Sequence, residues 1–267
     1  MPIHLPAPNR RQFLFTMGAG LVACATESFG DAVYLLNDTH IGEKHAPDSP
    51  VPSHLRQVVE ELVGLKQKPA CVLINGDLAL TDGQPGDYRH FAKLIAPLRD
   101  AGLDVHLTLG NHDNREVFYS VLSDEQPETT AVESRHISVV ETRFANFFLL
   151  DSLHQTNLTP GTLGEAQRTW LAEALDARPD KAAIIMTHHN PRLGGDPVHF
   201  PGGLTDSEEL WEILGSRKQV KAYIHGHIHD RNFFEHEGIH ILNMPATSYV
   251  ADPKLSTTGW TVARLTA

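Results

Sequence analysis

The sequence predicts an α/β fold with an added β-rich portion. Two patterns carry this. After residue 31, short apolar runs alternate with stretches of helical periodicity, so strands and helices take turns along the chain. A second group of strand-like runs lacks helices between its members.

The elements follow in order. Residues 33–36, 71–74, 105–109, 184–186 and 222–224 are short apolar or β-rich runs and read as buried strands. After the first, Leu55, Val58, Val59 and Leu62 share one helical face, with Ser53 placed as its cap. Tyr88, Phe91, Leu94, Ile95 and Leu98 repeat at the same spacing, and Gly102 follows as a stop. Leu163, Ala166, Trp170, Leu171, Ala174 and Leu175 form a third face, ended by Pro179. Leu210, Ile213 and Leu214 form a shorter fourth. The second group of strands is 136–140, 146–150, 239–242 and 260–265. Residues 124–130 are polar and read as a loop. There is no internal repeat, low-complexity tract or evident domain linker.

Composition narrows the function. The 267 residues are 41% hydrophobic and 21% charged, as in an ordinary globular protein with a sizeable core. No apolar run approaches the roughly 18–20 residues of a membrane span, so an integral membrane protein is not expected. The formal net charge is −11, without a basic cluster, which argues against a nucleic-acid scaffold. Two cysteines exclude a disulfide-framed fold and a Cys-based zinc module, and Cys71 sits in an apolar run as a core residue. Histidine is the unusual count, at 17. Imidazole is a metal ligand and proton carrier, so the placement of these residues matters.

The first 30 residues differ from the rest. Arg10-Arg11 is followed by Gln12, Phe13 and Leu14, then by a short uncharged apolar stretch to Ala25. This resembles a twin-arginine export signal. Ala23-Cys24-Ala25 fits small-residue cleavage, and residues 21–24 also resemble a lipobox in which Cys24 carries a lipid. The expectation is residues 1–30 as signal and 31–267 as one domain, in the periplasm or cell envelope. The alternative is a cytoplasmic protein whose first element contains Arg-Arg.

Each of the first five strands runs into a polar motif. They are Asp38-Thr39-His40, Gly76-Asp77, Gly110-Asn111-His112-Asp113, His188-His189, and a run from His225-Gly226-His227 through His229-Asp230. Ligand sites in open α/β sheets lie beyond the carboxyl ends of strands, so neighbouring strands would bring these residues to one rim. Carboxylates, an amide and imidazoles without thiolate suit Mn, Fe, Zn, Ni or Co. Eight or so ligands are more than one ion needs, and two ions sharing a carboxylate is the natural arrangement.

Together, Asp38-x-His40, Gly76-Asp77, Gly110-Asn111-His112-Asp113, His188 and Gly226-His227-x-His229 resemble the calcineurin-like metallophosphoesterase signature, over about residues 32–250. Asp77-Leu78-Ala79 with Gly83 and Tyr88, and Asn114-Arg115, resemble the bacterial branch of cyclic-nucleotide and glycerophosphodiester phosphodiesterases. The resemblance implies a four-layer sandwich of two packed mixed β-sheets flanked by α-helices. It implies two divalent or mixed-valence transition-metal ions. One would take Asp38, His40, Asp77 and His229; the other would take Asp77, Asn111, His188 and His227. It also implies hydrolysis of a small phosphoester, with phosphodiesters first, by attack of a metal-bridging hydroxide. Cleavage of monoesters or nucleotide pyrophosphates is the alternative, as is a non-catalytic metal-binding protein. His112 would touch the phosphoryl group and protonate the leaving oxygen, with Asp113 orienting it. Asn111, His112 and Arg115 are substrate-binding candidates, and His45, His154 and His199 are weaker ones. Either His188 or its neighbour His189 could be the ligand, with His188 in the family position.

Overall fold

The computed structural model describes residues 13–17, 31–46, 48–194 and 202–266. Its strands are β1 (Phe13–Met17), β2 (Ala32–Asn37), β3 (Cys71–Asn75), β4 (Val105–Thr108), β5 (Ser138–Glu141), β6 (Ala145–Leu149), β7 (Ala182–Met186), β8 (Val220–His225), β9 (Asn232–His236), β10 (Ile239–Asn243) and β11 (Thr261–Leu265). Its α-helices are α1 (Val51–Gly64), α2 (Pro85–Asp100), α3 (Arg115–Val121), α4 (Glu165–Asp176) and α5 (Ser207–Gly215).

Two mixed sheets result, in the orders β1-β11-β2-β3-β4 and β5-β6-β7-β8-β10-β9. In the first, β2, β3 and β4 run parallel, and β11 lies antiparallel to β2. In the second, β6, β7, β8 and β10 run parallel, with β5 and β9 antiparallel at the edges.

Side-chain alternation stacks the layers. Val33 and Leu35 of β2, with Cys71 and Leu73 of β3, face the second sheet and meet Phe147, Leu149, Ile184 and Met186. Tyr34, Leu36, Val72 and Ile74 point the other way, onto Leu55, Val59, Leu62, Phe91 and Leu98 of α1 and α2. Phe148, Ile185 and Tyr223 leave the second sheet's outer face to meet Leu171, Leu175, Leu210 and Trp211 of α4 and α5. Strands covered on both faces need apolar residues at successive positions, which is why their sequences read as unbroken runs. The four layers are helix, sheet, sheet, helix. Burial pushes the Cys71 thiol up to about 12, with Asp104 adding to the shift, so it is an inert core group.

Four sequence expectations change. The second group of strands does not form a separate portion: β5, β6 and β10 extend the sheet of β7 and β8, while β11 joins the first sheet. α4 separates β6 from β7 along the chain, so the second sheet too contains a right-sized crossover. Ser53 does not cap α1. The helix begins at Val51 with Pro52 in its first turn, where a proline's missing N–H costs nothing. α3 and β9 were not expected. α3 is started by Asn114, whose side-chain oxygen accepts from the Val117 N–H at 3.1 Å. Gly102 does end α2: at φ +71° it lets Gly102 N–H reach the Arg99 carbonyl and Leu103 N–H reach the Leu98 carbonyl.

Of the expected export segment, only β1 falls among the described residues; Arg10-Arg11 and Cys24 lie outside them. β1 pairs in parallel with β11 at the edge of the first sheet. No helix among the described residues is long and apolar enough to cross a membrane.

Candidate metal centre

The five motifs do meet, though not on one sheet. Asp38, His40, Asp77, Asn111 and His112 follow β2, β3 and β4 of the first sheet, while His188, His227 and His229 follow β7 and β8 of the second. The carboxyl ends of both parallel sets open on the same rim, and short backbone bonds tie the loops together. His40 N–H donates to the Asp77 carbonyl at 2.9 Å, and Gly226 N–H donates to the His188 carbonyl at 3.0 Å. His227 N–H crosses between the sheets to Asp38 Oδ2 at 3.1 Å. His112 N–H donates to Asp77 Oδ1 at 2.8 Å, leaving Asp77 Oδ2 to face the imidazoles.

Packing so many side chains into one spot distorts the backbone. Among the described residues, eight that are not glycine have positive φ, and five of them are Asp38, His40, Asp77, His227 and His229. Such conformations cost of order 1–3 kcal/mol each and persist only where the surroundings enforce them. Glycine is required beside them. A Cβ on Gly110 would strike Asp77, and one on Gly76 would strike His188.

Two ligand groups share Asp77. His40 Nε2 lies 3.5 Å from Asp77 Oδ2, and His188 Nε2 lies 3.2 Å from the same oxygen. On one side, His229 Nε2 is 3.4 Å from Asp38 Oδ1 and 2.9 Å from His40 Nε2. On the other, His188 Nε2 is 3.3 Å from Asn111 Oδ1 and 3.2 Å from His227 Nδ1. Asp38, Asp77 and His188 are buried.

The far nitrogens of these rings decide what the near ones can be. His40 Nδ1–H donates to the Leu80 carbonyl at 3.3 Å, His229 Nδ1–H to the Tyr249 carbonyl at 2.8 Å, and His227 Nε2–H to the Gly202 carbonyl at 3.2 Å. A neutral imidazole carries one N–H, so the nitrogens facing inward are lone pairs. The Nε2 atoms of His40 and His229 face each other across 2.9 Å, and Asp38 beside them raises the His229 ring above its usual range although burial opposes it. Asp38 Oδ1 is buried beside them and accepts no hydrogen bond. Two buried carboxylates crowded by ring nitrogens call for positive charge among them, and outer carbonyls that orient the rings are a habit of metal-binding histidines. The residues fit two metal ions.

The field agrees. Burial pushes the His40 ring down to about 4 and the His227 ring down to about 3, so both are neutral donors at pH 7. Burial opposes charge on His188 as well, yet Asp77 and Asp38 override it and raise the ring to about 9. Burial likewise favours a neutral Asp77, and His188 with His40 outweighs it, holding the carboxyl well below its usual range. Positive charge is what this spot stabilises.

Two sequence expectations for the site are corrected, and a choice left open is narrowed. Asp113 does not orient His112. Its carboxylate accepts from Leu78 N–H at 3.1 Å, Ala79 N–H at 3.0 Å, Gly110 N–H at 2.9 Å and the Tyr88 hydroxyl at 3.1 Å. It pins the Asp77 loop to the Asn111 loop, and His112 Nδ1–H turns instead to the Thr81 carbonyl at 2.6 Å. Arg115, expected to bind substrate, is instead tied into the fold. It forms a two-pronged pair with buried Asp151 at 2.5 and 2.8 Å and also binds the Leu153 carbonyl. His189 is a satisfied core imidazole, taking the Ser152 hydroxyl on Nδ1 at 2.8 Å and donating from Nε2 to the Thr159 carbonyl at 3.0 Å. Of the two neighbours, His188 is the one whose nitrogen meets Asp77, at 3.2 Å.

The weaker candidates disperse. His45 Nε2 accepts from Gly42 N–H at 2.8 Å, His154 is exposed, and His199 lies outside the described residues. The sequence reading missed Tyr249, whose carbonyl holds His229 and whose ring stacks on it at 4.2 Å. It stands in no motif, so no local signal could have found it.

A sequence model of the family described as Calcineurin-like phosphoesterase matches residues 32–231. The chain is 30% identical over 197 residues to a 3',5'-cyclic adenosine monophosphate phosphodiesterase CpdA of Vibrio vulnificus, covering 74% of this chain and 68% of that one. It is 28% identical over 202 residues to the "Probable glycerophosphodiester phosphodiesterase GpdQ" of Arcobacter nitrofigilis, covering 74% and 71%. In fold it is similar to a dimetal phosphatase from Danio rerio, with a TM-score of 0.67, 18% identity, and 89% and 93% of the two chains covered.

Proposed function

The chain belongs to the calcineurin-like phosphoesterase family, and from that premise we propose that it hydrolyses phosphodiesters at the centre built on Asp77. It is a metal-dependent phosphoester hydrolase; the diester preference is the finer reading. The observation that carries the centre is Asp77 Oδ2 standing within 3.5 Å of ring nitrogens from two ligand groups. The diester preference is supported by the relatives, which are named for cyclic-nucleotide and glycerophosphodiester cleavage.

Asp38, His40, Asp77 and His229 would hold one ion, and Asp77, Asn111, His188 and His227 the other. Bound there, the ions supply Lewis-acid charge and lower the pKa of water enough to yield a nucleophile at neutral pH. Mn, Fe, Zn, Ni and Co all suit this donor set. The chain's own part is to hold the remaining groups still. Asp113 fixes the Asp77 and Asn111 loops against each other. His112 is partly exposed beside this rim, with its ring 5.2 Å from that of His40. Its Nδ1–H is engaged by Thr81, so Nε2 is the free atom; as the imidazolium, which carries a second N–H there, the ring can give that proton to the leaving oxygen or bond a phosphoryl oxygen.

Metal-reconstituted protein assayed on matched mono-, di- and pyrophosphoesters tests this. The highest kcat/KM is expected on a diester, and a monoester hydrolysed far faster than every diester would sink the reading. For location, we propose twin-arginine export, supported by Arg10-Arg11 ahead of a weakly apolar stretch. Replacing both with Lys is expected to hold the protein in the cytoplasm. An envelope protein with an unchanged location, or a mature chain that still begins before β1, would reject it. A fatty acid on Cys24 would identify the lipid-anchored variant.

A further inference from the structure

We propose that Tyr249 is an aromatic shelf that binds a flat ring in the organic group of the substrate, on the His40 and His229 side of the metal centre. This rests on the site handling a phosphoester and adds the chemistry of the ester group.

The backbone around Tyr249 is tied on every side. Thr247 N–H donates to the Asn37 carbonyl at 2.7 Å, and Ser248 N–H to the Asp38 carbonyl at 3.2 Å. His54 Nδ1–H donates to the Ser248 carbonyl at 2.7 Å, and Ala251 N–H to the His229 carbonyl at 2.9 Å. The Tyr249 carbonyl itself receives His229 Nδ1–H. A segment held this firmly could have buried its side chain. Instead Tyr249 is 48% exposed, one of five large hydrophobic residues left open among the described residues.

Its position is specific. One face stacks on the His229 ring, with centroids 4.2 Å apart and planes 29° from parallel. The same ring lies 5.3 Å from His40, whose other neighbour is His112 at 5.2 Å. Tyr249 and His112 therefore flank one imidazole of the centre. A phosphoryl group beside His112 projects its ester substituent along this rim, and the substituent on the His40 side meets the phenol ring. A fixed, half-exposed aromatic is a surface for π-stacking at little entropic cost, since its conformation is already set. Stacking of a base on an aromatic side chain is worth about tenfold in affinity. A nucleobase or aryl ester gains this; a methyl or glyceryl ester does not.

The test compares phenylphosphonate with methylphosphonate by titration calorimetry on the Mn-loaded protein, in the wild type and in Tyr249→Ala and Tyr249→Phe. Metal content is measured on each. The wild type is expected to bind the phenyl compound about tenfold tighter or more. Tyr249→Phe is expected to keep this preference, and Tyr249→Ala to erase it with two ions retained. In turnover, Tyr249→Ala should raise KM for nucleoside and aryl esters and leave that for glyceryl esters within about twofold. Equal weakening for both phosphonates, or loss of an ion from Tyr249→Ala, would overturn the shelf and make the residue a prop for His229. A wild type without a phenyl preference overturns it too. Turnover of monoesters alone, with the phenyl preference intact, would reject the diester reading and leave the shelf standing.

Discussion

The two rims that make the centre are built differently. The first sheet's rim is a compact piece of backbone. Three adjacent parallel strands end together, and Asp113 gathers three N–H groups from their loops while Asp77 takes a fourth. The second sheet's rim is a set of imidazoles steered by distant carbonyls: Gly202 holds His227 and Tyr249 holds His229. The first rim is rigid because of a buried carboxylate; the second is rigid because loops from elsewhere close over it. A residue of the first rim should therefore fail through folding as well as chemistry, and a residue of the second through ligand aim alone.

Asp77 is where the rims join, so Asp77→Ala should have the largest effect. Turnover is expected to fall by about 10³-fold or more, and bound metal to drop below two ions per chain. Metal analysis showing two ions in the folded variant would mean that the rims bind independently. Next comes His112, which the first rim places and neither rim uses as a ligand. His112→Ala is expected to slow alkyl phosphoesters by about 10²–10⁴-fold, and nitrophenyl esters, whose leaving group needs no proton, much less. Equal slowing of both would leave His112 only an electrostatic role.

Asp113 sharpens the contrast directly, and His189, a core imidazole behind the second rim and not part of it, checks the ligand assignment. Asp113→Asn should cost about 2 kcal/mol in denaturant unfolding, because an amide cannot satisfy all the N–H groups the carboxylate held. It should also weaken metal binding. His189→Gln should keep both ions and change kcat/KM by no more than about threefold, with a stability loss near 1–3 kcal/mol from its two hydrogen bonds. Loss of an ion from the His189 variant would make it a ligand and reverse the assignment. Arg115 should affect only the fold: Arg115→Ala leaves buried Asp151 short of its cation, for about 3 kcal/mol, with KM unchanged. A rise in KM at unchanged stability would return Arg115 to the substrate.

How much of this was legible depends on how local each feature is. β2, β3, β4, β7 and β8, each with its motif, are readable because a strand buried on both faces shows as an apolar run and a loop motif follows at once. The helix faces of α1, α2, α4 and α5 are readable for the same reason of short period. α3 and β9 were hidden. α3 is seven residues behind a metal-site motif, and β9 mixes Phe233 and Phe234 with polar residues that lie half-buried at a sheet edge.

The sequence alone determined that five strand-end motifs of oxygen and imidazole donors exist, in an order that matches a known family. Only the tertiary structure decided their partners. It put the motifs on two sheets, sent β11 to the first of them, and turned His188 rather than His189 toward Asp77. It gave Arg115 to Asp151 and Asp113 to the backbone, and brought Tyr249 against His229. The reason is range. Periodicity and turn chemistry act over a few residues and are written in the chain, whereas a hydrogen bond between Asp38 and His227 spans 189 positions and exists only once the sheets have packed.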